Sequence, residues 1–130
     1  HSFPTRRSSD LNSALEVDLF DQANASHVRR KIYSGFGGST DFIVGALHSR
    51  GGQSFVALPS WHPKANVSTI VPRLQSNITH FQHSYVVTEQ GVAACFGHSQ
   101  KQQAANLINK AAHPSVREEL TEAAAKLGLL

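Results

Sequence analysis

A glycine-rich turn is the first feature of this 130-residue sequence with potential for chemistry. Gly35, Gly37 and Gly38 precede a Ser-Thr-Asp sequence and an apolar run, an order typical of a turn that leads into a helix. Glycines let a ligand approach the backbone closely, and N–H groups at a helix start can hold an anion or a developing oxyanion. The segment lacks the ending of a P-loop and the spacing of a dinucleotide fingerprint. An anion site and an ordinary tight turn therefore both remain open.

Glu89 is the second candidate, because it lies where an apolar segment (SYVVT, residues 84–88) meets a glycine-containing turn. Side chains at such strand ends emerge at the rim of an α/β sheet. A carboxylate there can accept a proton or orient a substrate, and the alternative is a solvated glutamate at a strand end. Glu16 and Asp18 instead alternate with apolar residues, which predicts that they form the wet face of an amphipathic strand.

The histidines and the single cysteine are weaker candidates. His80 and His83 are predicted to lie on opposite faces of a strand, and no second pair of ligands completes a zinc-type set, so we predict no metal site. Cys95 and His98 lack a third group that would orient them for thiol catalysis. Cys95 is therefore predicted to be a small thiol buried in the core.

Composition restricts the class of protein. Hydrophobic residues make up 40% of the chain and charged residues 16%, as in ordinary globular domains. No run approaches the ~18 apolar residues of a membrane helix. The net charge is +3, and the one basic run, residues 29–31 (RRK), has three possible roles: a solvated loop, a contact to a CoA phosphate, or a contact to nucleic acid. Without a basic stripe or interleaved aromatic residues, nucleic-acid binding is not expected. A single cysteine forms no internal disulfide and is consistent with a reducing cytoplasm.

Residues 1–11 (HSFPTRRSSDL) differ from the rest of the chain. They are polar, rich in Ser and Arg, and lack periodicity, and they look like the conceptual translation of a sequencing adapter. We therefore predict a non-native leader at residues 1–11 and one domain over residues 12–130.

The elements that must position the candidate residues have an α/β pattern. Short apolar or alternating segments predict strands, and a polar stretch, residues 21–31, predicts a loop. The predicted strands are residues 14–20, 54–58, 67–71 and 84–88.

The last third of the chain has helical periodicity. Ser99 and Gln102 have the spacing of a capping box, followed by apolar residues at helical intervals. Pro114 is placed to begin a second helix that Gly128 ends. These elements predict an α/β layered domain, a sheet with flanking helices and two helices at the C-terminus.

Five segments, taken in order, resemble the C-terminal domain of the acetyl-CoA hydrolase/transferase family, which contains acetyl-CoA hydrolases and succinyl-CoA:acetate and 4-hydroxybutyrate CoA-transferases. They cover essentially the whole chain after the leader. The segments are NSALEVDLF (12–20), SGFGGSTDFIVGA (34–46), IVPRL (70–74), YVVTEQGVA (85–93) and HPSVREEL (113–120).

The resemblance implies a CoA-transferase-like (NagB/RpiA/CoA transferase-type) fold and a two-domain, cytoplasmic, homo-oligomeric enzyme of acyl-CoA and acetate metabolism. A glutamate upstream of this chain would form a glutamyl-CoA thioester, with an acyl-CoA and a small carboxylate as substrates and coenzyme A as substrate, not cofactor. Gly38 would hold the thioester oxygen through its N–H, with Gly37 beside it at the substrate, and Glu89 would be an active-site carboxylate. Without the N-terminal domain the chain is expected to be inactive.

Two departures from the family pattern and one alternative function stand beside this hypothesis. Residues 93–99 (AACFGHS) replace a run similar to A-D-L-R-G-K-S, and residues 59–66 keep only Lys64 where lysines are frequent. These losses leave the acyl preference, and the choice between hydrolase and transferase, open. The alternative is a stand-alone α/β module that binds phosphate or a nucleotide through its glycine turn.

Overall fold

Short strands followed by a helical C-terminal third make up the described part of the chain. The computed structural model describes residues 9–25, 27–28, 31–32, 53–75, 78, 80–81 and 83–130. The predicted glycine turn and the helix after it lie outside these residues. The strands are β1 (Ser9–Ser13), β2 (Glu16–Asp18), β3 (Gln22–Asn24), β4 (His27–Val28), β5 (Lys31–Ile32), β6 (Gln53–Ala57), β7 (Trp61–His62), β8 (Val67–Ser68), β9 (Ile70–Val71), β10 (His80–Phe81), β11 (Tyr85–Thr88) and β12 (Gly91–Ala94).

The first sheet has the strand order β1-β6-β11-β12. Strands β1, β6 and β11 are parallel, and β12 pairs antiparallel with β11. Val56 and Val86 are register partners, and both are fully buried in the core. The predicted strands in residues 54–58 and 84–88 are thus confirmed. Strand β12 was not predicted, because Gly-Val-Ala-Ala has little strand propensity and forms by pairing across a tight turn.

The second sheet has the strand order β10-β3-β2-β9, with β2 antiparallel to β3 and parallel to β9. The prediction of a loop at residues 21–31 is wrong, because β3, β4 and β5 fall within or overlap it. Main-chain pairing with β2 makes Gln22–Asn24 a strand even though its side chains are largely polar. Residues 67–71 form two short strands, β8 and β9, on either side of Thr69.

Asp18 corrects the prediction of a wet strand face. Its carboxylate is fully buried and accepts the N–H groups of Phe20 and Gln22, each at 3.0 Å, and of Leu74 at 3.1 Å. Burial raises the pKa of Asp18, and these hydrogen bonds oppose the rise. Alternation distinguishes the two faces of a strand but cannot tell whether the second face is also covered. Asp18 therefore ties the turn after β2 to the segment after β9.

The first C-terminal helix, α1 (Gln100–Asn106), continues as a π-helical segment, Leu107–Ala111. Its capping box is confirmed: the Gln102 N–H donates to Ser99 Oγ at 3.2 Å, and the Ser99 N–H donates to Gln102 Oε1 at 3.1 Å. The predicted apolar stripe is also confirmed, since all its members are buried in the core. These residues are Ala104, Leu107, Ile108 and Ala111.

The second C-terminal helix begins with a 3₁₀ turn, Pro114–Val116, which leads into α2 (Arg117–Lys126). Gly128 ends it as predicted, with φ of +76°, and the Leu129 N–H donates to the Ala124 carbonyl at 2.8 Å. Among the described residues, no helix combines the length and apolarity needed to cross a membrane.

Strand β1 includes the last three residues of the predicted leader. Ser9, Asp10 and Leu11 pair in parallel with residues 53–55 of β6. Main-chain hydrogen bonds can form between strands of almost any sequence, so this pairing does not test whether residues 1–11 are a non-native leader. The leader stays a prediction.

Candidate functional site

The turn between β11 and β12 positions Glu89. Thr88 and Gly91 are register partners, and the turn residues between them are Glu89 and Gln90. Thr88 Oγ1 donates to the Ala111 carbonyl at 2.6 Å and accepts the Gln90 N–H at 3.1 Å. The hairpin tip is therefore fixed against the end of the π-helical segment, and the Glu89 side chain is exposed.

The Glu89 carboxylate is held mainly by one residue, Ser60. The Ser60 N–H donates to Oε1 at 2.7 Å, and the Ser60 hydroxyl donates to Oε2 at 2.5 Å. The Gln90 side-chain amide adds a bond of 3.1 Å to Oε2. The Ser60 hydroxyl first, and then its N–H, lower the pKa of Glu89 from 4.5 to about 2. At neutral pH Glu89 is thus an ionised carboxylate and a very weak base, so orienting a substrate suits it better than accepting a proton.

Ser60 is itself fixed by the strands around it. It is fully buried, and its carbonyl accepts the Thr69 N–H at 3.1 Å. The Thr69 hydroxyl donates to the Pro59 carbonyl at 2.6 Å, and the Thr69 carbonyl accepts the Val17 N–H of β2 at 2.9 Å. A chain of hydrogen bonds therefore connects Glu89, at the tip of the first sheet, with the second sheet.

The sequence singled out Glu89 as a candidate but not Ser60, which binds it. The available signal was that both residues follow neighbouring parallel strands, β11 and β6, whose carboxyl ends meet at one edge of the sheet. The Leu58 N–H donates to the Val87 carbonyl at 3.1 Å and keeps the two strand ends together. The sequence does not show that β6 and β11 are neighbours, so it could not predict that Ser60 would contact Glu89.

Residues 59–66, where the chain departs from the family pattern, continue from Ser60 into the β7–β8 hairpin. The Trp61 ring lies 5.3 Å from the His113 ring, tilted by 57°, and Trp61 Nε1 donates to Asn66 Oδ1 at 3.0 Å. Lys64 is exposed in this hairpin. An aromatic contact to the segment before α2 thus anchors the loop that carries Ser60.

Gly37 and Gly38, the other predicted site residues, lie outside the described residues, as do Arg29 and Arg30 of the basic run. Their roles stay predictions. Lys31 belongs to β5, which pairs with β4.

His80 lies in β10, and His83 lies beyond the end of that strand. His83 is not in a strand: its fully buried ring contacts the Asp21 carboxylate, with Nδ1 2.5 Å from Oδ1. The prediction that His80 and His83 lie on opposite faces of one strand is therefore wrong. Within the described part of the chain, no three His, Cys, Asp or Glu side chains are grouped to hold a metal ion.

Cys95 is a fully buried core thiol, as predicted. Burial raises its pKa strongly, and the nearby Asp21 charge acts in the same direction. The thiolate, which is the reactive form, is therefore disfavoured.

Two clefts lie away from Glu89. One of about 320 Å³ and one of about 210 Å³ share Phe96 and His98 in their linings. Phe96 and His98 follow Ala94, which pairs with Tyr85 at the open end of the hairpin, whereas Glu89 is at its tip. Glu89 lines neither cleft, and its role as a site residue stays a prediction.

Comparison with known proteins identifies the family of the chain. Residues 5–124 match the acetyl-CoA hydrolase/transferase C-terminal domain. The succinyl-CoA:cyclohexane-1-carboxylate CoA transferase of Geobacter metallireducens is 42% identical over 121 residues, which are 90% of this chain and 28% of that protein. Among solved structures, RipA from Yersinia pestis has a TM-score of 0.83 and 39% identity, over 94% of this chain and 28% of RipA. The 4-hydroxybutyrate CoA-transferase of Porphyromonas gingivalis has a TM-score of 0.71 and 37% identity, over 92% of this chain and 26% of that one.

The chain thus spans little more than a quarter of the length of these relatives. The family match begins at residue 5, inside the predicted leader. The α/β fold of the CoA-transferase type, with two C-terminal helices, is confirmed by the structural similarity. The chain belongs to the acetyl-CoA hydrolase/transferase family, and residues 5–124 correspond to its C-terminal domain.

Proposed function

We propose that this chain is the C-terminal part of a two-domain enzyme that transfers coenzyme A from an acyl-CoA to a small carboxylate. The family membership supports this proposal, as do the names of two similar proteins, a succinyl-CoA:cyclohexane-1-carboxylate CoA transferase and a 4-hydroxybutyrate CoA-transferase. Hydrolysis, in which water replaces the carboxylate acceptor, is the second outcome of the same chemistry.

The proposed reaction proceeds through covalent intermediates on a glutamate of the N-terminal domain. Its carboxylate attacks the acyl-CoA carbonyl and forms an acyl-glutamyl anhydride. The C–S bond breaks, and the CoA thiolate is the leaving group. The thiolate then attacks the glutamyl carbonyl, releases the acyl group as a carboxylate and forms a glutamyl-CoA thioester. The acceptor carboxylate attacks this thioester and the same steps run in reverse, which regenerates the glutamate; in a hydrolase, water attacks instead.

In this scheme the chain supplies two groups that do not form covalent bonds. The Gly38 N–H, with Gly37 beside it, would stabilise negative charge on the thioester oxygen. Glu89 would accept a hydrogen bond from the substrate. The Ser60 N–H, the Ser60 hydroxyl and the Gln90 amide hold the carboxylate, and the Glu89 main-chain N–H also helps to lower its pKa. This held, ionised Glu89 is the structural observation on which the proposal rests.

The setting of the enzyme belongs to the same proposal. Coenzyme A acts as a substrate and not as a bound cofactor, and the partners are an acyl-CoA, a small carboxylate and the N-terminal domain of the same polypeptide. We propose a cytoplasmic homo-oligomer in acetate or related acyl-CoA metabolism. The buried, unpaired Cys95 is consistent with a reducing compartment.

The complete coding sequence provides the test. Acetyl-CoA followed by borohydride should reduce the thioester and mark a glutamate upstream of Asn12. Glu89→Ala should lower kcat about 10- to 100-fold, the range for loss of one hydrogen bond to a charged group, whereas the surface control Glu118→Ala in α2 should leave kcat unchanged. Full turnover in Glu89→Ala would remove this residue from the site. A native start codon close to Asn12 would exclude the two-domain enzyme.

A further inference from the structure

We propose that Ser60 is a positioning residue for Glu89: its N–H and its hydroxyl each bind one oxygen of the Glu89 carboxylate and fix its orientation at the sheet edge. The inference rests on the proposed function, because it concerns how the proposed active-site carboxylate is presented to the substrate. It adds a residue that does not itself touch the substrate.

The bond pattern restricts the Glu89 carboxylate to one rotation. The two donors of Ser60 lie 2.7 Å from Oε1 and 2.5 Å from Oε2. Two bonds to different oxygens define the plane of the carboxylate, as a single bond cannot. An exposed glutamate otherwise samples several rotamers, so the two bonds from Ser60 hold the carboxylate in one orientation.

Burial indicates which residue positions the other. Ser60 is fully buried, whereas Glu89 is exposed, so Ser60 is the fixed partner and Glu89 the one that is held. Bonds from Thr69 to the carbonyls of Pro59 and Ser60 restrain the Ser60 backbone, and Thr69 is in turn bonded to Val17. These hydrogen bonds therefore hold Glu89 in a fixed position relative to both sheets.

Carboxyl-carbon NMR titration of the 130-residue chain tests the contact without requiring turnover. In the native chain Glu89 should titrate near its pKa of about 2. In Ser60→Ala the pKa of Glu89 should rise by about one unit toward 4.5, because the hydrogen bond from the hydroxyl is lost and the one from the N–H remains. Ser68→Ala is the matched control, since the Ser68 hydroxyl donates to the Ile70 carbonyl at 2.8 Å and its removal should leave the Glu89 titration unchanged.

Kinetics of the complete enzyme test the positioning role. Ser60→Ala should lower kcat about tenfold, the factor for one net hydrogen bond of this kind, with KM changed less than about twofold. In a Glu89→Ala background the same substitution should have no further effect, because Ser60 acts through Glu89. Ser60→Thr, which keeps the hydroxyl, should recover turnover, and Ser60→Cys is the smaller substitute if the added methyl group is not accommodated.

The outcomes separate the two proposals. An unmoved Glu89 titration in Ser60→Ala, or additive losses of kcat in the double variant, would overturn the positioning role. Absence of any turnover of acyl-CoA by the native enzyme would overturn the proposed function, while the titration would still decide whether Ser60 holds Glu89.

Discussion

His83 contacts the carboxylate of Asp21 twice, although the two residues are 62 positions apart. The His83 N–H donates to Oδ2 at 2.8 Å, and ring Nδ1 lies 2.5 Å from Oδ1. Both side chains are almost completely buried, and Asp21 has a left-handed φ of +57°. This pair joins the turn after β2 to the residue that leads into β11.

Loss of His83 should leave a buried charge without its main partner. Burial raises the pKa of Asp21, and the hydrogen bonds and charge of His83 oppose that rise. His83→Leu should reduce the free energy of unfolding by about 3 kcal/mol at neutral pH. A carboxyl whose folded pKa is raised loses stability as pH increases through that pKa, so the deficit should be smaller near about pH 4 than at neutrality. Urea denaturation of the native chain and of His83→Leu at both pH values measures this difference in the free energy of unfolding.

The double variant Asp21→Gly/His83→Leu is the control for an unpaired charge. Glycine adopts the left-handed φ of position 21 without strain, and removal of the carboxylate eliminates the unpaired charge. The main-chain N–H of position 83 loses its Asp21 acceptor, so only part of the lost stability should return. If the double variant is as unstable as His83→Leu, the cost lies in packing around the ring and not in the carboxylate.

Gly91 should not tolerate a side chain. A Cβ at this position would lie 2.8 Å from the Lys110 carbonyl oxygen, and φ is +155°. Gly91→Ala should therefore destabilise the chain by about 1–3 kcal/mol. It should also displace the hairpin tip and lower kcat of the complete enzyme. Thermal unfolding and initial rates provide the two measurements.

Gly97→Ala is the matched control, because it also has a positive φ, +87°, but no atom within 4 Å of a new Cβ. It should cost only the backbone strain of about 1 kcal/mol. Equal losses in the two alanine variants would show that the Lys110 contact has no role.

Glu89 should contribute to stability only above strongly acidic pH. Its pKa is lowered in the folded chain from 4.5 to about 2. Such a group stabilises the fold above its unfolded pKa, and the contribution disappears as pH falls through the folded value. The native Tm should thus fall more steeply between these two values than the Tm of Glu89→Gln, and solvent exposure keeps the difference small. Parallel acid melting curves would contradict a held carboxylate at this position.

Local features of the chain were predictable from the sequence. Ser99 and Gln102 cap a helix through bonds between residues three apart, and Gly128 ends a helix through its own backbone freedom. The apolar segments that became β6 and β11 were recognised for the same reason, since alternation is a property of consecutive residues. The family resemblance also follows from such short ordered segments.

The carboxylates show what the sequence left undetermined. Three carboxylates that look alike in the sequence have different partners in the structure. Asp18 accepts the Leu74 N–H, Asp21 pairs with the buried His83, and Glu89 is bound by Ser60. Their partners lie 56, 62 and 29 positions away. Capping and periodicity depend on neighbours along the chain, so the sequence determines them directly. Burial and hydrogen bonding of a charge depend on which distant segments are brought beside it, and only the tertiary structure decides that.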